Sequence, residues 1–194
     1  CNVLSRKAVC DTSAGFIERD THKNTSWQQA RFETCCHKWC DLSETDGGIA
    51  VVNDGKYGVG FDKNLISLSL LRSTIRPDIT SDMGTHDFCY MIVPHAGNAV
   101  SAEINKLAFQ YNVPLVKADV ECNIPSFEPL YMQALKFAEN GKMIVVRLSE
   151  QNGSRGIIKL GKKVKLLNML EEVEGEADSI EYSPFEIITI GIEI

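Results

Sequence analysis

The sequence predicts an all-β fold: a large antiparallel β-sandwich with one inserted helix, read as a single domain over residues 1–194. Three observations carry this. Apolar residues recur with period two in many short runs. Those runs are bounded by Gly-Gly and Asn-Gly signals that favour turns. One segment alone shows convincing helical spacing. With 44% hydrophobic and 24% charged residues the chain has an ordinary globular composition. At this length a fold buries about 70% of its unfolded surface, so no covalent or metal staple is required.

The elements follow in order. Residues 3–10 read as a short strand, Gly15 interrupts, and residues 16–20 form another extended piece. A polar loop, 21–26, leads to Trp27. Residues 31–39 read as a strand, with Phe32, Thr34, Cys36 and Lys38 on one face and Glu33, Cys35, His37 and Trp39 on the other. Gly47-Gly48 precedes the compact apolar run 49–52, which suits a buried strand, and Asn53-Asp54-Gly55 breaks it. Tyr57, Val59 and Phe61 alternate into a turn at Asp62-Lys63-Asn64, and Ile66, Leu68 and Leu70 alternate back out, which describes a hairpin with one apolar face. The polar loop 73–85 is long enough to suggest a functional role. A strand over 87–93 ends at Pro94. The helix is expected over 98–111, stopped by Asn112-Val113-Pro114. Five more strands are expected at 130–138, 143–148, 157–160, 164–170 and 185–194, with hairpin turns at Asn140-Gly141 and Asn152-Gly153. The acidic stretch 171–176 reads as a solvated loop.

Charge and cysteine usage exclude some functions. The formal net charge is −6 with no basic stripe, which argues against nucleic acid as a partner. No apolar run is long enough to span a bilayer as a helix, so no membrane partner is expected. The seven cysteines are odd in number and read as free, packing thiols of a reducing, cytoplasmic compartment.

Catalytic motifs are sparse. There is no Walker loop, no dinucleotide fingerprint, no zincin helix and no nucleophile elbow. The cluster Cys35-Cys36-His37 with Cys40 invites a metal reading, but a strand would place only Cys35 and His37 on one face, and buried thiols beside Trp39 are the stronger reading. His22, His86 and His95 stand apart. Glycoside hydrolysis needs two positioned carboxylates, and 26 acidic residues offer no way to choose them. The richest polar stretches are 19–26 and 53–57. Asp54, Lys56 and Tyr57 could together grip hydroxyl groups; the alternative is a tight turn with a solvated lysine and a packed tyrosine.

Taken together, several segments resemble a known family. They are Thr21-His22-Lys23-Asn24-Thr25-Ser26-Trp27, Ala30-Arg31-Phe32-Glu33, His37-Lys38-Trp39, Asn53-Asp54-Gly55-Lys56-Tyr57-Gly58 and Leu68-Ser69-Leu70-Leu71-Arg72-Ser73. This set, continued by Pro77-Asp78, His86, Phe88, Tyr90 and Pro94-His95, is similar to the C-terminal β-domain of glycoside hydrolase family 38 α-mannosidases, in the cytosolic and bacterial branch. Asp20 and Thr74 stand where the family usually has proline. The resemblance implies a galactose-mutarotase-like sandwich and a parent enzyme that releases α-linked mannose with retention. It implies a carboxylate nucleophile and a zinc ion, both held by a missing N-terminal catalytic domain on which this domain packs. No catalytic residue and no zinc ligand is therefore expected on this chain. Asp54, Lys56, Tyr57 and Arg72 are the substrate-cleft candidates: Arg72 closes the hairpin and returns toward Asn53. A mannose-containing oligosaccharide is the expected ligand of the parent. An exposed docking face, and with it homo-oligomerisation, is expected of the severed domain. The alternatives are a stand-alone sugar-binding module or an aldose-1-epimerase-like enzyme using His86 or His95 with a glutamate.

Overall fold

The computed structural model describes residues 3–115, 117 and 124–194. Cys1 and Cys122 lie outside the described residues. Among the described residues strands dominate and every strand pairing is antiparallel, in keeping with the alternating pattern. The chain divides into two compact units, residues 1–116 and 117–194, whereas the sequence reading drew no boundary.

The first unit is a sandwich of two sheets. Strands β1 (Lys7–Thr12), β2 (Gly15–Asp20), β4 (Trp39–Ser43), β5 (Gly47–Asn53) and β8 (Tyr90–Ala96) form one sheet in the order β2-β1-β4-β5-β8. Strands β3 (Thr34–Cys35), β6 (Gly58–Asp62) and β7 (Leu65–Ser69) form the other, in the order β3-β6-β7. Ala8, Cys10, Cys36, Cys40 and Leu42 pack with Val59 and Phe61 to make the core between them. The opposite face of the larger sheet presents Trp39, Ala50 and Val52 to Ile104 and Ala108 of helix α2 (Ile104–Asn112). The Trp39 indole N–H donates to Asn105 Oδ1 at 3.1 Å, so the buried indole keeps a partner. At the β7 and β8 edges the sandwich opens into an apolar groove of about 250 Å³ lined by Val51, Ile66, Leu68, Leu70, Tyr90 and Ile92.

The second unit is a five-stranded sheet in the order β12-β11-β13-β10-β9. Its strands are β9 (Tyr131–Phe137), β10 (Met143–Ser149), β11 (Gly156–Leu167), β12 (Val173–Tyr182) and β13 (Ile187–Glu193). Val146, Leu148, Ile158, Leu160, Ile180 and Ile190 carry its core.

Several local expectations change. The strand expected over 31–39 is mostly irregular, holding β3 and only the first residue of β4, because strand pairing moves between the two sheets there. The polar loop 21–26 runs into a short helix that the sequence did not suggest, α1 (Ser26–Ala30), started by a reciprocal capping box between Thr25 and Gln28. Helix α2 begins later than expected because the Asn98 side chain takes the N–H groups of Val100 and Ser101 into a turn. The acidic stretch 171–176 is no loop beyond its first residues: β12 starts at Val173 and pairs with β11. An edge strand tolerates such charges because its outer side is solvated. Asn140-Gly141 does join a hairpin, β9 to β10, with Gly141 at φ 67°. Asn152-Gly153 does not, because β10 pairs with β9 and β13 and never with β11. Pro94 lies inside β8, an edge strand, where its missing donor costs no ladder bond.

Candidate functional site

The end of β5 builds the site. Asn53 is fully buried, and its Oδ1 accepts the backbone N–H groups of Gly55 at 2.9 Å and Lys56 at 2.7 Å. Gly55 completes the turn at φ 107°, where a side chain would be strained. The turn is held from outside as well: Asn112 Nδ2 donates to the Asn53 carbonyl, and Cys36 N–H donates to the Tyr57 carbonyl. A buried strand end thus projects Lys56 and Tyr57 from a rigid base.

These two side chains reach an open cleft of about 640 Å³, which Arg72 also lines. Lys56 Nζ sits 4.5 Å from the centroid of the Phe88 ring, and the imidazole of His86 stacks on the same ring at 6.2 Å. Tyr57 is 60% exposed and tilts against His37. The Arg72 guanidinium lies 3.6 Å from Glu33, and the Asp82 carboxylate accepts the backbone N–H groups of Arg72 and Ser73. His86 Nε2 lies 3.1 Å from the Asp82 carbonyl oxygen. The loop 73–85 thereby fastens back onto the rim of the cleft.

The structure therefore brings Lys56, Tyr57 and Arg72 onto one cleft. Asp54 does not line it: its carboxylate accepts the Cys89 N–H at 2.9 Å. Glu33 and Asp82 complete the rim and were not singled out from the sequence; the A-R-F-E run and the long polar loop were the available signals. Both carboxylates are engaged by neighbours, so they orient the rim. His95 is elsewhere, 2.7 Å from the buried Asp41 carboxylate, whose other oxygen accepts the Ser43 hydroxyl.

The thiols behave as packing groups. Cys10, Cys36 and Cys40 are buried together, and burial, reinforced by Cys36, pushes the Cys10 thiol up to about 12. Cys35 and Cys89 are exposed, and none of these five is in a disulfide. Among the described residues no group of three or more His, Cys, Asp or Glu is arranged to hold a metal ion. Among the described residues no helix is long and apolar enough to cross a membrane.

Residues 1–80 match the model of the glycosyl hydrolases family 38 C-terminal domain, and residues 130–190 match that of the family 38 C-terminal beta sandwich domain. The chain belongs to the C-terminal region of glycosyl hydrolase family 38. One family 38 match falls in each compact unit. Alpha-mannosidase G of Dictyostelium discoideum is 37% identical over 96% of this chain, which spans 20% of that protein. Alpha-mannosidase 2C1 of Mus musculus is 37% identical over 78% of this chain and 16% of its own length. The alpha-mannosidase of Saccharomyces cerevisiae is 47% identical over 57% of the chain. The crystal structure of an alpha-mannosidase from Enterococcus faecalis V583 shares the fold, with a TM-score of 0.81 at 17% identity over 98% of this chain and 24% of that one. The chain thus spans a fifth or less of the length of these curated relatives.

Proposed function

We propose that this chain is the non-catalytic C-terminal part of a retaining α-mannosidase, packed on its catalytic domain and bordering the cleft that takes α-linked mannose. The observation that carries this reading is 37% identity, over nearly the whole chain, to a protein named an alpha-mannosidase. Retaining glycosidases place a nucleophilic carboxylate and an acid/base about 5.5 Å apart. In the cleft of the first unit Glu33 is bonded to Arg72 and Asp82 to backbone amides. This rim positions donors, and the reacting carboxylates belong to polypeptide beyond the chain. The zinc of the parent enzyme has its ligands there too, where it would grip the sugar.

The rim acts through Lys56 and Arg72. Each can donate charge-assisted hydrogen bonds to sugar hydroxyls, while Tyr57 offers an exposed ring edge and a phenol. The five thiols free of disulfides support a cytoplasmic setting, where mannose-containing oligosaccharide would be the substrate. An epimerase reading finds less support, because His95 is occupied by buried Asp41 and does not share the cleft with His86.

The test places alanine at Lys56 and at Arg72 in the parent enzyme. Each variant is expected to lower kcat/KM about ten-fold. The isolated chain is expected to leave an aryl α-mannoside intact. Full activity of both variants would remove the rim from the mechanism, and turnover by the isolated chain would overturn the non-catalytic assignment.

A further inference from the structure

The pairing of β5 with β8 runs to the last residue of β5, with Asn53 opposite Tyr90. One residue before Tyr90, the Cys89 N–H donates to the Asp54 carboxylate at 2.9 Å. The chain entering β8 is thus tied to the turn that projects Lys56, and Phe88 arrives beside that lysine. The Lys56 ammonium stands 4.5 Å from the Phe88 ring centroid. Phe88 is half-buried and does not itself line the cleft, whereas Lys56 and His86 do. The His86 and Phe88 rings lie nearly parallel, 8° apart with centroids 6.2 Å from each other. His86 Nε2 meets the Asp82 carbonyl oxygen, and the Asp82 carboxylate accepts the N–H groups of Arg72 and Ser73. One run of contacts therefore joins the two cations of the rim, from Lys56 through Phe88, His86 and Asp82 to Arg72.

The two cations are held differently. Arg72 faces the Glu33 carboxylate at 3.6 Å. Lys56 has no carboxylate within ion-pair reach among the described residues, and the Phe88 ring stands in that place. The chemical consequence is specific. A carboxylate would cancel the charge of the ammonium and occupy its N–H donors. A ring face attracts the charge through its quadrupole and leaves those donors to another acceptor. Lysine carries its charge on a flexible four-carbon stem, so an ammonium already held in place loses less freedom when it engages a ligand.

We propose that Phe88 is a positioning residue of this cleft. Its ring face holds the Lys56 ammonium at the rim with its N–H donors available to a sugar hydroxyl, an inference that rests on reading the rim as a mannoside-binding surface. Phe88 acts through Lys56 and touches no substrate. A leucine in its place keeps an apolar side chain but has no quadrupole, whereas a tyrosine keeps the ring face.

Two measurements test this. In the whole 194-residue chain, the Lys56 ε-methylene protons are expected upfield of those of the other lysines in a carbon–proton correlation spectrum, because they lie over a ring. The signal is identified by its loss in Lys56→Ala. Phe88→Leu is expected to return it to the common lysine position and Phe88→Tyr to keep it. In the parent enzyme, Phe88→Leu is expected to lower kcat/KM about three-fold, and Phe88→Tyr to retain it. Adding Phe88→Leu to Lys56→Ala is expected to cost nothing further. A Lys56 signal that is not upfield, or that stays upfield in Phe88→Leu, would overturn the proposal. So would an equal loss from Phe88→Leu with and without Lys56, which would make the ring a packing group alone. Loss of activity in Lys56→Ala but none in Phe88→Leu would overturn this inference and leave the rim reading standing. Full activity of Lys56→Ala would overturn the rim reading and this inference with it.

Discussion

Glu150 shows how one side chain organises two loops. It is 1% exposed, yet its carboxylate accepts the N–H groups of Asn152, Gly153 and Phe185 and the Ser154 hydroxyl. Burial acts against its charge, but the hydrogen bonds outweigh it and hold its pKa below the ordinary glutamate value. The stability it contributes is therefore complete above the unfolded pKa and is lost as pH falls through the lower, folded value. Glu150→Gln presents an amide N–H₂ to those donors and is expected to cost about 1–3 kcal/mol, read by urea denaturation at pH 7. Asp11 has the opposite sign. Burial raises its pKa, and the Lys38 ammonium and N–H only partly offset this. Its contribution favours the fold at low pH and is lost as pH rises through the raised, folded value. Melting curves from pH 3 to 7 are expected to show Asp11→Asn and Glu150→Gln changing the pH slope in opposite directions.

At the scale of elements, helix α2 is fixed by what it covers. Ile104 and Ala108 fill the face of the large sheet, and Asn105, 5% exposed, meets the Trp39 indole. Asn105→Ala leaves that buried N–H without its acceptor and is expected to destabilise by about 1–3 kcal/mol. Adding Trp39→Phe, which removes the donor, should recover part of that loss. A double-mutant cycle by chemical denaturation checks the coupling, and strict additivity would show that the bond contributes nothing. The helix itself was legible in its apolar spacing. Its start was not, because the competing turn depends on where the Asn98 side chain points. The β6–β7 hairpin was legible because alternation and turn lie side by side in sequence. The strand character of 173–182 was hidden because half of its residues are exposed and its partner β11 supplies the pairing.

For the molecule as a whole, the exposed groove between β7 and β8 is the expected consequence of an unaccompanied sandwich. The isolated chain is expected to self-associate, seen as a concentration-dependent mass in sedimentation. Serine at exposed Tyr90 and Ile92 together should reduce it. A mass independent of concentration up to the millimolar range would show that the groove does not drive association.

The sequence by itself determined the β class, the family and most strand centres, because these rest on local periodicity, turn residues and runs such as Asn53-Asp54-Gly55-Lys56-Tyr57. It also marked Lys56, Tyr57 and Arg72 as neighbours, since one hairpin joins them. Only the tertiary structure decided that Asp54 leaves that cleft for the Cys89 amide, and that Glu33 and Asp82 enter it. It likewise decided that β11 meets β13 only where Lys165–Leu167 faces Thr189–Gly191. Those outcomes depend on which distant backbone groups need a partner once the core has closed. Such pairings carry no periodicity along the chain, since they are set by the geometry of burial.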